Sequence, residues 1–388
     1  MGIGDNDPFE REAMVALRRD LHAHPELGFE EVRTSALVAQ WLEEAGIEVH
    51  RGLGKTGVVG TLRVGDGTRA IALRADMDAL AMPELGDVAY KSETPNTMHA
   101  CGHDGHTVML LAAARHLART RQFSGTVHFI FQPAEEGRGG AKAMLDDGFL
   151  DRFPIDAVYG LHNMPGLATD EMAVVAGPQL ASSDSWEVAF HGIGTHGAKP
   201  HLGRDAMTAA AHFLTAIHTI VARLVDPLQP AVVSACAISG GDLRALNVIP
   251  DTVRIGGTAR AYSSDVRDQL ESEIGALAQG VATMFGIRAE YSFLRRISPV
   301  INDETATRAA LAAAQAASGR PVVTNFPPST AGDDFAEFGG RVPGCYVWLG
   351  NGPAVDGALH HNSRYDFNDE AILTGARYWT ALVEGELR

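Results

Sequence analysis

The sequence predicts an α/β protein in which a mixed, mostly parallel sheet is flanked by helices and a smaller α+β domain is inserted. In the first half of the chain, short apolar runs typical of strands alternate with helical stretches, the order that builds a parallel sheet. Residues 182–296 follow the order β-α-β-β-α-β instead, which is the ferredoxin-like split pattern. A length of 388 residues also exceeds what one hydrophobic core usually serves. We therefore expect residues 1–181 and 297–388 to form one domain and residues 182–296 another.

Local signals place the elements of the first domain. Asp7 as N-cap and Pro8 in the first turn are typical of a helix start, and Gly46 is typical of a helix end. Asp104 is expected to cap a further helix. In chain order, the predicted elements are a helix from Pro8 toward Leu21, a helix at 30–44, strands at 58–64 and 70–75, a helix at 105–119, a strand at 126–132, a helix at 139–145 and a strand at 157–161.

The inserted domain opens with an alternating segment. Trp186, Val188 and Phe190 point to one side of a strand at 185–191, as expected for a half-buried sheet. The remaining predicted elements are a helix at 206–224, strands at 231–239 and 252–262, a helix at 265–285 and a strand at 288–294. The mixed pattern resumes from Asp303, so both ends of the chain are expected to build the first domain.

Charge and cysteine content narrow the class of protein. The formal net charge is −16, which disfavours a nucleic-acid or anionic-membrane surface because phosphate needs a basic footprint. Cys101, Cys236 and Cys345 are odd in number and far apart, which indicates free thiols in a reducing cytoplasm. The first nine residues lack the basic start and apolar core of a signal peptide. We expect a cytoplasmic protein that binds neither nucleic acid nor membranes.

One short motif carries a metal-ligand signal. Cys101 and His103 lie two residues apart in the segment Met98–His106, so in extended backbone both side chains point the same way. A thiolate and an imidazole side by side form half of a site for a first-row metal. Taken alone, the pair is better explained by a buried apolar cysteine beside a histidine at a helix start.

Further ligand types follow the predicted strands. Glu135 and Glu136 come directly after one strand, and His162 ends the next. The carboxyl ends of parallel strands are where α/β folds bind their ligands. His360 and His361 supply two more imidazoles near the C-terminus. Together these residues favour a metal centre over isolated surface acids.

The chain resembles the M20 peptidase family of metal-dependent amidohydrolases. The similarity is to the branch of hippurate hydrolases, N-acyl-amino-acid aminohydrolases and auxin-conjugate hydrolases, and it runs nearly end to end. The segments that carry it are 21–31 (LHAHPELGFEE), 73–80 (LRADMDAL), 98–106 (MHACGHDGH), 131–137 (FQPAEEG), 160–163 (GLHN), 247–251 (NVIPD) and 365–369 (YDFND).

The resemblance implies a centre of two divalent metal ions. Its ligands would be Cys101, His103, Glu136, His162 and His361, and Glu135 would be the general acid/base. His361 is chosen over His360 because it stands four residues before Tyr365, as the family pattern requires. The role of His360 stays open, and Asp76 is kept only as a residue that could orient a ligand. Thiolate and imidazole suit Zn, Co or Ni, while carboxylates also admit Mn.

The inserted domain resembles the family's lid and dimerisation domain. The resemblance implies that His196 stabilises the oxyanion and that Asn247 and Arg260 bind the substrate's carboxylate. An exposed cation on a sheet face is the alternative for Arg260. Thr195 and Asp333 depart from the usual residues of the family, and we expect them to affect substrate preference.

The resemblance implies hydrolysis of the amide bond of N-acyl amino acids, of the hippurate or N-acetyl type, by a homodimer or higher homo-oligomer formed through the inserted domain. A dipeptidase or aminopeptidase of the same superfamily is the alternative within hydrolases. A non-catalytic relative that only binds metal is the alternative outside them.

Overall fold

The computed structural model describes residues 8–354 and 357–388, and its elements alternate along most of the chain. The helices are α1 (Arg11–Ala23), α2 (Val32–Glu44), α3 (His103–Thr120), α4 (Gly140–Asp146), α5 (Phe149–Arg152), α6 (Ala206–Ala216), α7 (His218–Arg223), α8 (Ser264–Phe285), α9 (Glu304–Ala317), α10 (Phe335–Gly339) and α11 (Ala371–Glu386), with one 3-10 turn at Pro200–Leu202. The strands are β1 (Glu48–Leu53), β2 (Gly57–Val64), β3 (Ala70–Asp76), β4 (Gly125–Gln132), β5 (Ala157–Met164), β6 (Met172–Ala173), β7 (Gly177–Leu180), β8 (Ser183–His191), β9 (Thr195–His196), β10 (Ala231–Gly240), β11 (Val248–Ile249), β12 (Thr252–Ala261), β13 (Arg288–Ile297), β14 (Val300–Asn302) and β15 (Gly344–Gly350).

Two compact units make up the chain. The first contains Met1–Gln179, Ile301–Pro327 and Asp333–Arg388, and the second contains Leu180–Val300 with Pro328–Gly332. The sequence predicted an insertion at 182–296 and did not include the short segment 328–332 in the second unit. That segment joins the second unit by backbone hydrogen bonds, because Ala181 N donates to Ser329 O at 3.1 Å. Five residues with a proline carry no periodicity that a sequence pattern could reveal.

A seven-stranded sheet in the order β1-β2-β4-β3-β5-β15-β6 organises the first unit. The four central strands β4, β3, β5 and β15 are parallel, whereas the pairs β1–β2, β2–β4 and β15–β6 are antiparallel. The parallel strands are buried on both faces, as their continuous apolar runs require. One hydrophobic core fills this unit, with α3 buried along almost its whole length.

The second unit has its own antiparallel sheet and its own core. The strand order is β10-β12-β8-β13, and α6, α7 and α8 cover one face. Trp186, Val188 and Phe190 lie in its core, as the alternation predicted. This arrangement is the ferredoxin-like α+β fold, so the predicted fold class is confirmed.

Three details differ from the sequence predictions. Helix α3 begins at His103 after Gly102, whose φ is 96°, so Asp104 lies in the first turn instead of capping the helix. The predicted helix at 206–224 is two helices, and the Thr215 hydroxyl donates back to His212 O at 2.9 Å, a contact that bends helices. Helix α1 begins at Arg11, and Asp7, the predicted cap, lies outside the described residues.

In the described part of the chain, none of the helices combines the length and apolar character that crossing a bilayer demands.

Candidate active site

Ligand-type side chains gather at one edge of the large sheet. Strand β3 ends at Asp76, β4 is followed by Glu135 and Glu136, and β5 carries His162. Because these strands are parallel, their carboxyl ends share one edge. The first residue of α3, His103, comes to the same place.

The five predicted metal ligands are brought together in two overlapping groups. The ligand atoms of Cys101, His103 and His162 lie within 4.8 Å of one another, and so do those of Cys101, Glu136 and His361. Cys101 Sγ is 3.4 Å from His162 Nε2, and His361 Nε2 is 3.3 Å from Glu136 Oε1. The Cys101 thiol belongs to both groups. Two cation positions that share one sulfur are therefore compatible with this arrangement.

The histidine tautomers favour a metal ion. His103 Nδ1 donates to the Asp78 carbonyl at 2.9 Å, and His162 Nδ1 donates to the Asn163 carbonyl at 2.8 Å. In the neutral ring, each of these hydrogen bonds leaves the lone pair on Nε2, where it can bind a cation. His103 Nε2 is buried and has no hydrogen-bond partner among the described residues. A buried nitrogen aimed at a thiol and carboxylates fits a divalent cation of the first row.

The pKa shifts of two residues in the cluster also favour a bound metal ion. Burial raises the pKa of the Cys101 thiol, and the Glu136 carboxylate raises it further. Hydrogen bonding to Cys101 and to Glu136 raises the pKa of His361 to about 10. Burial is the main cause of the Cys101 shift and facing anionic groups are the main cause of the His361 shift, and a bound cation would relieve the repulsion in such a cluster.

Glu135 has a different environment from the neighbouring Glu136. Its side chain is buried, with the carboxylates of Asp333 and Asp334 within 4.8 Å. Burial raises the pKa of Glu135 well above its usual value, and Asp333, Glu136 and Asp334 add to the shift. A carboxyl group whose pKa is raised in this way is suited to general acid/base work.

Asp76 does not orient a metal ligand directly. Its Oδ1 is 2.5 Å from His106 Nδ1, while its Oδ2 is 3.8 Å from the predicted ligand His103. The group that orients His103 is Asp78, which also accepts from the Glu136 backbone N–H at 2.9 Å. Asp78 lies in the motif at 73–80, but nothing in the sequence indicated that it contacts both ligands.

His360 packs behind a predicted ligand. Its ring is 4.9 Å from the ring of His162, edge to face, and its Nε2 is 3.2 Å from Asn163 Nδ2. Burial lowers the pKa of His360 to about 3, with His106 adding to the effect. A neutral ring there supports His162 without adding charge.

A buried arginine and three aspartates lie beside Glu135, and sequence reasoning missed this network. Arg74 contacts Asp76 at 2.7 Å, Asp333 at 3.0 Å and Asp334 at 3.2 Å. Asp333, which we expected to affect substrate preference, belongs to this network through its contact with Arg74. Its carboxylate is buried and also accepts from the Tyr346 hydroxyl at 2.7 Å, so its contacts are internal.

A second buried polar cluster surrounds Asp104 in the first turn of α3. Asp104 Oδ2 is 2.8 Å from His22 Nδ1, and Arg18 Nη1 lies 3.5 Å from the same oxygen. Burial alone would lower the pKa of His22, but hydrogen bonds to Asp104 and Glu84 outweigh it and raise the pKa to about 9. The charged imidazole is therefore favoured in the folded state.

This cluster predicts a specific pH dependence of stability. Because the folded-state pKa of about 9 exceeds the ordinary 6.5, the contribution of His22 is complete below pH 6.5 and is lost toward pH 9. The expected loss is about 2–3 kcal/mol, measured by urea unfolding of metal-free protein at both pH values. His22→Gln is the control and should show a correspondingly smaller change. Equal pH dependence in both proteins would contradict the assignment.

The three predicted substrate residues lie in the second unit. His196 in β9 pairs with Val248, and Gly197 N donates to Asn247 O at 2.7 Å, so His196 and Asn247 are neighbours. The Ala198 N–H donates to His196 Nδ1 at 3.0 Å, which places the proton of the neutral ring on Nε2. Arg260 is half-buried on β12, and its Nη1 donates to Ala259 O at 2.8 Å.

Comparisons with known proteins agree with these features. The family model described as peptidase family M20/M25/M40 matches residues 72–385. The hippurate hydrolase of Campylobacter jejuni is 40% identical over 369 residues, covering 95% of this chain and 94% of that protein. The N-acetyl-L-cysteine deacetylase of Bacillus subtilis is 38% identical over 366 residues, covering 94% and 86%. The crystal structure of the Bacillus subtilis YXEP protein, described as a dinuclear metal-binding peptidase, is 33% identical with a TM-score of 0.86, covering 98% and 99%.

The fold and the ligand cluster thus define a metal-dependent hydrolase. The chain belongs to peptidase family M20/M25/M40. It is an amidohydrolase of that family, and the family predicted from the sequence motifs is confirmed.

Proposed function

We propose that the protein hydrolyses the amide bond of N-acyl amino acids and releases a carboxylic acid and a free amino acid. The observation that carries this proposal is the buried Glu135 beside the cluster of thiol, imidazole and carboxylate groups. The names of the hippurate hydrolase and the N-acetyl-L-cysteine deacetylase, at 40% and 38% identity, support the substrate class.

Two divalent ions, of Mn, Zn, Co or Ni, would be held by the five clustered side chains. Cys101, His103 and His162 form one group of ligands, and Cys101, Glu136 and His361 form the other. When bound, such ions lower the pKa of water and polarise an amide carbonyl. Asp78 fixes the ring of His103, and the Asn163 carbonyl fixes that of His162.

Glu135 is the group that moves the proton. Its carboxylate would take a proton from the attacking water and deliver it to the nitrogen of the leaving amino acid. Its raised pKa suits the first step, because a more basic carboxylate takes a proton from water more readily than an ordinary one.

Binding of the substrate is assigned to the second unit. His196 would donate from Nε2 to the developing oxyanion, and its tautomer suits that role. Asn247 and Arg260 would bind the free carboxylate of the amino acid, for which a guanidinium offers paired, permanently charged donors.

We also propose that the protein forms a homodimer or higher homo-oligomer through this unit and that it resides in the cytoplasm. Strand β10 is at the edge of the smaller sheet, where a second chain can add. Cys101, Cys236 and Cys345 are all free thiols, which suits a reducing compartment.

A hydrolysis screen tests the function. Purified protein supplied with Mn, Zn, Co or Ni is expected to cleave N-acetyl and N-benzoyl amino acids, and to cleave unblocked dipeptides at least about tenfold more slowly in kcat/KM. The reason is that a site built for an acyl group leaves a charged amino terminus unpaired. Preference for unblocked dipeptides would instead identify a peptidase. Metal binding without turnover on either class would identify a non-catalytic relative.

A further inference from the structure

Glu135 and Glu136 lie in a turn, residues 134–138, which we call the glutamate turn. This turn has an unusual backbone. Ala134, directly before Glu135, has a φ of 55°, a left-handed conformation that costs free energy for any residue with a side chain. Ala134 is fully buried, and its carbonyl accepts from Gly140 N at 3.0 Å. Such a conformation persists only where surrounding contacts hold it.

Glu31 supplies one of those contacts. Its carboxylate is fully buried, and one oxygen, Oε1, accepts from the Ala134 N–H at 2.8 Å. The other oxygen, Oε2, accepts from the Thr56 hydroxyl at 2.6 Å. Its backbone carbonyl accepts from Ser35 N at 3.0 Å in the first turn of α2. The side chain thus ties the glutamate turn to α2 and to the β1–β2 hairpin.

The same segment packs against the turn at a second point. A Cβ atom at Gly28 would lie 2.8 Å from Ala134 Cα, so the backbone of Gly28 is pressed against the turn. Arg138 Nη1 donates to the Gly28 carbonyl at 2.9 Å. Segment 28–31, part of a motif to which no chemistry is otherwise assigned, therefore contacts the turn on both sides of Glu135 and Glu136.

We infer that Glu31 is a positioning residue for hydrolysis, whose buried carboxylate holds Ala134 in the left-handed conformation and so sets the direction of the Glu135 side chain. The inference rests on the role proposed for Glu135. Glu31 itself acts through the turn, and its loss displaces the reacting carboxylate relative to the metal ligands. Small displacements of a reacting group lower the rate strongly.

Three variants separate positioning from simple stability. Glu31→Ala removes both hydrogen bonds. Glu31→Gln keeps an amide oxygen for the Ala134 N–H and an amide N–H for the Thr56 oxygen. Glu26→Ala is the matched control, because Glu26 accepts two backbone N–H groups at the start of the same helix, from Arg33 at 2.9 Å and Thr34 at 2.8 Å. Both alanine variants lose two hydrogen bonds, and only one of them touches the glutamate turn.

Glu31→Ala is expected to lower kcat about 10- to 100-fold at saturating metal, with KM unchanged. Glu31→Gln is expected to retain kcat near the wild-type value. Glu26→Ala should lower the melting temperature and leave kcat unchanged. Should Glu31→Ala fail to fold, Glu31→Asp replaces it, since the shorter side chain cannot reach the Ala134 N–H. Equal kcat losses in Glu26→Ala and Glu31→Ala, or wild-type kcat in Glu31→Ala, would overturn the inference.

Two further measurements distinguish this inference from the proposed function. In a Glu135→Gln background, Glu31→Ala should cause no additional loss, and a full additional loss would show that Glu31 does not act through Glu135. If the wild-type protein hydrolyses no N-acyl amino acid, the proposed function fails, and the crystal structure of Glu31→Ala decides the inference. A displaced Ala134 turn supports it, and an unmoved turn overturns it.

Discussion

Replacing Glu135 with alanine is expected to lower kcat by about 10²- to 10⁴-fold while the protein keeps its bound metal. The carboxyl group is buried at 8% exposure and lies among Asp333, Asp334 and Glu136. Its removal takes away the proton carrier but removes none of the proposed metal ligands. Removal also relieves repulsion between buried carboxylates, so the melting temperature should not fall. Steady-state kinetics, elemental metal analysis and calorimetry on one preparation measure all three effects.

Two further variants make this result specific. Glu135→Gln preserves shape but cannot carry the proton, so it should lose as much turnover as Glu135→Ala. Glu136→Ala should show the opposite signature, with metal content reduced, because Glu136 lies with Cys101 and His361 in one ligand group. Turnover within about tenfold of wild type in Glu135→Ala would remove Glu135 from the mechanism.

Replacing Arg74 with methionine is expected to destabilise the first unit by about 3–5 kcal/mol. The guanidinium is buried and contacts Asp76, Asp333 and Asp334, so its removal takes their shared cation from three buried carboxylates. Burial already raises the pKa of Asp334 to about 8 even with Arg74 present. The loss should therefore be smaller at pH 5, where the carboxylates can take up protons, than at pH 8.

Surface and conservative variants calibrate this measurement. Arg320 pairs with Asp170 on the surface, and Arg320→Met should leave the unfolding free energy unchanged. Arg74→Lys keeps the charge but cannot reach all of the partners, so its stability should lie between wild type and Arg74→Met. A change in Arg74→Met no larger than in Arg320→Met would show that the buried network contributes no net stability.

Local patterns predicted the fold class and singled out most of the clustered ligand-type residues, and the family resemblance implied which of them would bind metal. The alternation of Trp186, Val188 and Phe190 and the β-α-β-β-α-β order are properties of neighbouring residues, and they lead directly to the second unit. Glu135 follows a strand, so sheet-edge geometry predicts its place in the cluster. Cys101 and His103 also lie close together, but not through the extended backbone that the prediction assumed, because Gly102 has a φ of 96° and His103 begins α3. The choice of His361 relied on family spacing, because sequence separation alone gives no distance.

The supporting contacts were not predictable, because each joins residues far apart in sequence. Asp78 lies 25 residues from His103, and Arg74 lies 259 residues from Asp333. Glu31 reaches Ala134 across 103 residues. A buried carboxylate and an exposed one look alike in a sequence, and only the packing of α2 against the hairpin separates Glu31 from its exposed neighbour Glu30.

The presence of two hydrophobic cores that share no member among the described residues bears on how such experiments are analysed. Each core can melt with its own enthalpy, so we expect a heat-capacity trace of this chain to be a sum of two transitions, and the melting temperatures compared between variants should be those of the first unit. Three of the four tryptophans, Trp41, Trp348 and Trp379, belong to the first unit, and Trp186 belongs to the second. Tryptophan fluorescence therefore mainly reports the unfolding of the first unit, which holds the ligand cluster, while calorimetry records the unfolding of both units.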